Sequence, residues 1–180
     1  IDFVKGNVVK NATVKNLTIN IESSYCERGI NFNNTNGTLV VENVTFVGTA
    51  PTYAINLPSS SNGADVTIKN SYLAGNIALN VWGKNMTINA YNTQFVSVDN
   101  TTVENYAAVK LNNDGTTSAN GTVINITGGK IDVTGSSCND TEAASNGTST
   151  GKINISDTTV VNGEIAEMVA VIRYADGNSY

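Results

Sequence analysis

The sequence predicts an all-β solenoid of the parallel β-helix kind, with three short strands to each coil. Three observations carry this. Two kinds of short apolar segment recur in fixed alternation along the chain. Both show the period of two that belongs to strands, and helical periodicity is absent almost throughout. Asn, Gly and Asp, the residues that best tolerate a left-handed backbone, punctuate the segments.

The first kind reads "TVKNLTI" (13–19), "LVVENVTF" (39–46), "VTIKNSYL" (66–73), "MTINAYNTQF" (86–95), "INITGGKI" (124–131) and "INISDTTV" (153–160). Each places two apolar residues two apart, then a small polar residue, then further apolar positions. In register, Leu39 and Val41 match Val66 and Ile68, Met86 and Ile88, Ile124 and Ile126, and Ile153 and Ile155. Asn16, Asn43 and Asn70 share the position after the first strand, which Gly128 and Asp157 take later. The segment is therefore a strand, a tight corner and a second strand. Asn16, Asn43 and Asn70 are expected to stack at that corner as a ladder of side-chain amides.

The second kind is "GINFNN" (29–34), "AINLPS" (54–59), "ALNVWG" (78–83), "AVKLNN" (108–113) and, less cleanly, "VAVIRY" (169–174). Each is a period-two strand that runs through a polar turn into the next segment of the first kind. The period is about 24 to 30 residues, which makes roughly six coils stacked about 4.8 Å apart. Ile30, Ile55, Leu79 and Val109 then form one inward stack, and Phe32, Leu57, Val81 and Leu111 its neighbour. "NGEIAEMVAV" (162–171) is the best approach to a helical pattern, and it is still not read as a helix. An antiparallel sandwich would explain many short strands and turns, but not two segment types in fixed order.

The coil period and the corner asparagines resemble the right-handed parallel β-helix superfamily typified by pectate lyases, which includes phage tailspikes and bacterial surface adhesins. The resemblance covers nearly the whole chain and is architectural, because no active-site motif of that family is present. It implies right-handed coiling and one domain over residues 1–180, either complete or a piece of a longer surface protein. The stretch 134–152 has almost no large apolar residue and is expected as a polar loop leaving the stack.

Composition narrows the function. The chain has 180 residues, of which 40% are hydrophobic and only 14% charged. The net charge is −5 and the basic residues are scattered, which argues against a nucleic-acid partner. No apolar run is long enough to span a membrane. The chain has no histidine, and its two cysteines, Cys26 and Cys138, are far apart, so no zinc site and no cofactor is expected. On the stacked model the two thiols lie roughly 20 Å apart, too far for a disulfide. "NNDG" (112–115) reads as a tight turn before a calcium loop. The frequent N-x-S/T triplets follow from Asn- and Thr-rich coils, and at Asn16 and Asn43 a glycan would collide with the corner ladder.

Enzymes of the resembled family act on polysaccharides with clustered acids, and either a histidine or an Arg or Lys base. Here Asp65, Asp99, Asp114, Asp132 and Asp157 are dispersed, so no catalytic residue is nominated. The more promising surface is the opposite parity of the second strand kind. If Ile30, Ile55, Leu79 and Val109 point inward, Asn31, Asn56, Asn80 and Lys110 form an outward line. Asn33, Pro58, Trp82 and Asn112 come next. Amides hydrogen-bond sugar hydroxyls, and an exposed indole stacks on a sugar's apolar face. Asn31, Asn56, Asn80, Trp82, Lys110 and Asn112 are therefore the candidate glycan strip. The expected protein is an extracellular or cell-surface structural and adhesive module, with a glycan or host-surface ligand as partner and self-association through uncapped ends. A polysaccharide lyase or glycoside hydrolase, and a phage tail-fibre segment, are the alternatives.

Overall fold

The computed structural model describes residues 1–3, 10–23, 25–98, 107–112, 119–133, 142–145, 150–165, 171–175 and 178–179. The strands in chain order are β1 (Asp2–Phe3), β2 (Asn11–Ile21), β3 (Arg28–Phe32), β4 (Thr38–Gly48), β5 (Tyr53–Leu57), β6 (Asp65–Lys69) and β7 (Tyr72–Gly75). There follow β8 (Ile77–Val81), β9 (Thr87–Tyr91), β10 (Gln94–Ser97), β11 (Val109–Leu111), β12 (Val123–Thr127) and β13 (Lys130–Asp132). The last are β14 (Glu142–Ser145), β15 (Lys152–Ser156), β16 (Val160–Asn162), β17 (Glu164–Ile165), β18 (Val171–Ala175) and β19 (Asn178–Ser179).

The architecture is all-β, and its parallel strands curl into a solenoid-like scaffold. One sheet runs β1-β3-β5-β8-β11-β14-β17, so each strand pairs with its counterpart one winding later. The other runs β16-β13-β10-β7-β4-β6-β9-β12-β15-β18-β19, with β2 pairing β4. Among the described pairings only β18 with β19 is antiparallel.

The larger sheet bends where β4 bends. Thr38 to Glu42 pair with β6, whereas Thr45 pairs with Tyr72 of β7. Between them lies Asn43, with φ of 52°. Asn16, Asn70 and Asn92 hold the same left-handed conformation at φ 55°, 48° and 48°, and Gly128 continues it at 66°. This is the corner read from sequence, with Asn92 as an additional member, whereas Asp157, expected at the same position, is not left-handed. A second left-handed corner alternates Asn36, Gly63, Asn85 and Gly121. At its glycines the left-handed backbone is free of strain, and a β-carbon on Gly63 or Gly121 would displace the side-chain amide of Asn36 or Asn85.

Registers match the expected stacks. Ile30 pairs Ile55, Ile55 pairs Leu79, and Leu79 pairs Val109. Ile88 pairs Ile124, which pairs Ile153. All of these side chains are fully buried. Truncating one of them, for instance Leu79→Ala, would cost about 2–5 kcal/mol.

One packing detail was not anticipated. The Ile77 amide donates back to Thr52, whereas the Leu79 amide donates forward to Ala108. The strand therefore changes its hydrogen-bonding side at Ala78, in the manner of a bulge. Ala54, Ala78 and Ala108 join the core there, and a side chain on Gly29 would overlap the Phe46 ring.

Within 134–152, expected as a loop, β14 pairs with Val109 and Lys110 of β11. Backbone pairing to an existing edge suffices to order four residues without large apolar side chains. Residues 134–141 and 146–149 lie outside the described residues, as does Cys138. Cys26 is a free, half-buried thiol. In "NGEIAEMVAV", β17 and the first residue of β18 are strand, and 166–170 lie outside the described residues.

Candidate functional site

Two runs of asparagine amides dominate the polar chemistry of the scaffold. The first is built on β3, β5 and β8. Asn31, Asn56 and Asn80 stand in register, each between two buried aliphatic or aromatic residues. The amide nitrogen of Asn80 donates to Oδ1 of Asn56 at 2.8 Å, and Asn56 donates to Asn31 at 2.8 Å. Asn31 in turn donates to Asp2 Oδ1 at 2.7 Å. A carboxylate only accepts, so Asp2 ends the run at β1.

At the other end the register places Lys110 beside Asn80. The amide chain skips it. Asn112, two residues on, reaches back to Asn80 Oδ1 at 2.7 Å and to the Val81 carbonyl at 3.0 Å.

This first ladder is buried. Asn31, Asn56, Asn80 and Asn112 are 6%, 4%, 1% and 7% exposed. The outward line expected from strand parity is therefore corrected, since these amides do not face solvent. Their hydrogen bonds are made to one another, which is what allows amides to leave water at little cost. Trp82 and Lys110 stay half-buried, with Trp82 in line with Pro58 one winding earlier.

The second ladder was missed as a site. Asn125 donates to Asn89 Oδ1 at 2.9 Å, and Asn154 donates to Asn125 Oδ1 at 2.7 Å. These three lie on β9, β12 and β15 and remain half-buried. An amide carries two N–H donors and two acceptor lone pairs. One donor and one acceptor of Asn125 are used within the ladder, and one of each remains. Tyr91, two residues beyond Asn89, is exposed between Lys69 and Thr127. The Lys69 ammonium lies 5.9 Å from its ring centre. The signal was available: "INA", "INI" and "INI" repeat the apolar–Asn–apolar triplet of "INF", "INL" and "LNV".

The corner asparagines make a single amide contact among the described residues. Asn43 donates to Asn16 Oδ1 at 2.9 Å, while Asn70 shares the backbone conformation without extending that bond among the described residues.

Titratable chemistry is sparse. Burial pushes the Tyr53 phenol above its usual range, with Glu27 adding to the rise and Arg28 opposing it. Among the described residues no group of three or more His, Cys, Asp or Glu could hold a metal ion. No helix among them is long and apolar enough to cross a membrane. A groove of about 520 Å³, with a lining as polar as it is apolar, is formed beside β4, β7 and β10 by Val47, Thr49, Pro51, Tyr72, Ala74 and Val98 among others.

The class the geometry defines is an all-β, parallel, solenoid-like scaffold with amide ladders. Compared with protein families, with curated proteins and with solved structures, the chain matches none.

Proposed function

We propose that this chain is an extracellular structural and adhesive module, a right-handed parallel β-helix of roughly six coils in the pectate-lyase-like style, which binds glycans on its side. The observation that supports this most is the half-exposed amide row Asn89–Asn125–Asn154 beside the exposed Tyr91 ring. The row offers paired donors and acceptors at the strand spacing of about 4.8 Å, and the ring offers a stacking platform. Trp82 and Lys110, the half-exposed remainder of the first strip, form a second contact on the β8–β11 face. The buried members of that strip serve cohesion of the stack.

A glycan array probed with the purified chain tests this, followed by titration of the best glycan against Tyr91→Ala, Asn125→Ala and Trp82→Ala. Tyr91→Ala should weaken binding about tenfold, the loss of one aromatic stacking contact. Absence of any glycan binding by the parent chain would overturn the reading. Release of unsaturated or reducing-end sugars from a polysaccharide would favour a lyase or hydrolase on the same scaffold.

A further inference from the structure

The half-exposed amide row has a fixed repeat and a fixed direction. Asn89, Asn125 and Asn154 are register partners on β9, β12 and β15, with no shift between the strands. The row therefore crosses the strands and follows the axis of the stack, one amide to each strand spacing of about 4.8 Å. Asn154 donates to Asn125 and Asn125 donates to Asn89, so each bond points toward the N-terminal winding. An amide already held by such a bond has little freedom left to lose on meeting a ligand. Between the rows of the same strands Ile88, Ile124 and Ile153 are fully buried and anchor them to the core.

The flanks of the row are mixed in charge. On one side Lys15, Glu42 and Lys69 stand in register with alternating sign, and Tyr91 and Thr127 continue the line. On the other side Asp65 and Lys152 lie at opposite ends of a line through Thr87 and Val123. An anionic polymer meets no run of cations here, and a cationic polymer no run of anions. The amides themselves are neutral.

We infer that the ligand of this face is a neutral, linear polysaccharide joined by equatorial bonds, lying along the stack with one sugar to each winding. This rests on the glycan-binding reading of the same face. Equatorial bonds at both ends of a pyranose give a straight ribbon that advances by close to one strand spacing per sugar. Axial bonds bend the chain away from a straight row. Successive sugars of a ribbon turn different hydroxyl edges to one side. An amide with one spare donor and one spare acceptor receives either edge. The sugar over β9 also reaches Tyr91, two residues beyond Asn89, whose exposed ring gives it a stacking contact. That end is the anchor. On β6 the row passes to Thr67, which carries no amide. Three amides thus hold three consecutive sugars from within a long chain.

Titration of the chain with cello-, manno-, xylo- and N-acetylchito-oligosaccharides of one to six sugars reads this directly. In the series that binds most tightly, affinity should rise about three- to tenfold with each sugar up to the trisaccharide and then level off. Oligogalacturonates, which are anionic and axially linked, should bind about tenfold more weakly at equal length. Asn154→Ala should erase the gain between the disaccharide and the trisaccharide, because the sugar over β15 loses its partner. In the parent chain the side-chain amide NMR signals of Asn89, Asn125 and Asn154 should shift in that order as the oligosaccharide lengthens. Affinity independent of length, galacturonates bound as tightly as the neutral series, or a trisaccharide gain that survives Asn154→Ala would overturn this inference and leave glycan binding itself standing. A chain that binds no glycan overturns both.

Discussion

The two amide ladders are written in the same letters and placed in different solvents. Asn56 in "INL" and Asn125 in "INI" each sit between aliphatic neighbours, pair with an asparagine one winding away, and donate at 2.8 and 2.9 Å. Yet the ladder through Asn56 is sealed, and the ladder through Asn125 keeps part of each amide in water. The difference teaches that hydrogen bonds of equal length differ in worth. A buried amide that loses its partner pays the full desolvation penalty, whereas a half-exposed one turns to water.

The largest expected effect follows from cutting the sealed ladder at its middle. Asn80→Ala strands the Oδ1 of Asn56 and one of the two N–H groups of the Asn112 amide in a dry site, and should lower unfolding free energy by about 2–4 kcal/mol, measured by urea denaturation. Asn125→Ala makes the matching cut in the half-exposed ladder and should cost about 0.5–1.5 kcal/mol. Equal losses at the two sites would remove the distinction.

Binding should invert that order. At temperatures where both variants are folded, Asn125→Ala should weaken glycan binding severalfold, and Asn80→Ala should leave it unchanged. A smaller stability loss is expected for Asp2→Asn, which keeps an acceptor for Asn31 but removes its charge.

The least effect concerns Tyr53, on the strand that carries Asn56. Its phenol is raised in the folded state, chiefly by burial. Folding therefore favours the protonated form. The resulting stabilisation is complete below the unfolded value near 10 and is lost as pH rises through the higher folded value. Tyr53→Phe should flatten that alkaline decline, measured as the thermal midpoint against pH, because amides do not titrate there.

Much of the scaffold was legible. The stacks Ile30–Ile55–Leu79 and Ile88–Ile124–Ile153 were read from spacing alone, because a residue's parity in a strand is a local property. The left-handed asparagines were legible for the same reason, since φ above zero selects Asn and Gly at the residue itself. The site was less so. Asn31, Asn56 and Asn80 were placed correctly in line and wrongly in water. Asn89, Asn125 and Asn154 were passed over although their triplets match. Strand parity tells which residues share a side of a sheet, and it is silent on what lies against that side.

The sequence by itself determined the alternation of strands, the corners, the aliphatic stacks and the alignment of the amides, all of which depend on spacing and on local backbone preference. Only the tertiary structure decided which ladder is dry, that Asp2 ends one of them, and that Asn112 bypasses Lys110. These are consequences of contacts between residues more than twenty positions apart, and burial, which sets the energy of each amide, belongs to the assembled stack and to no single winding.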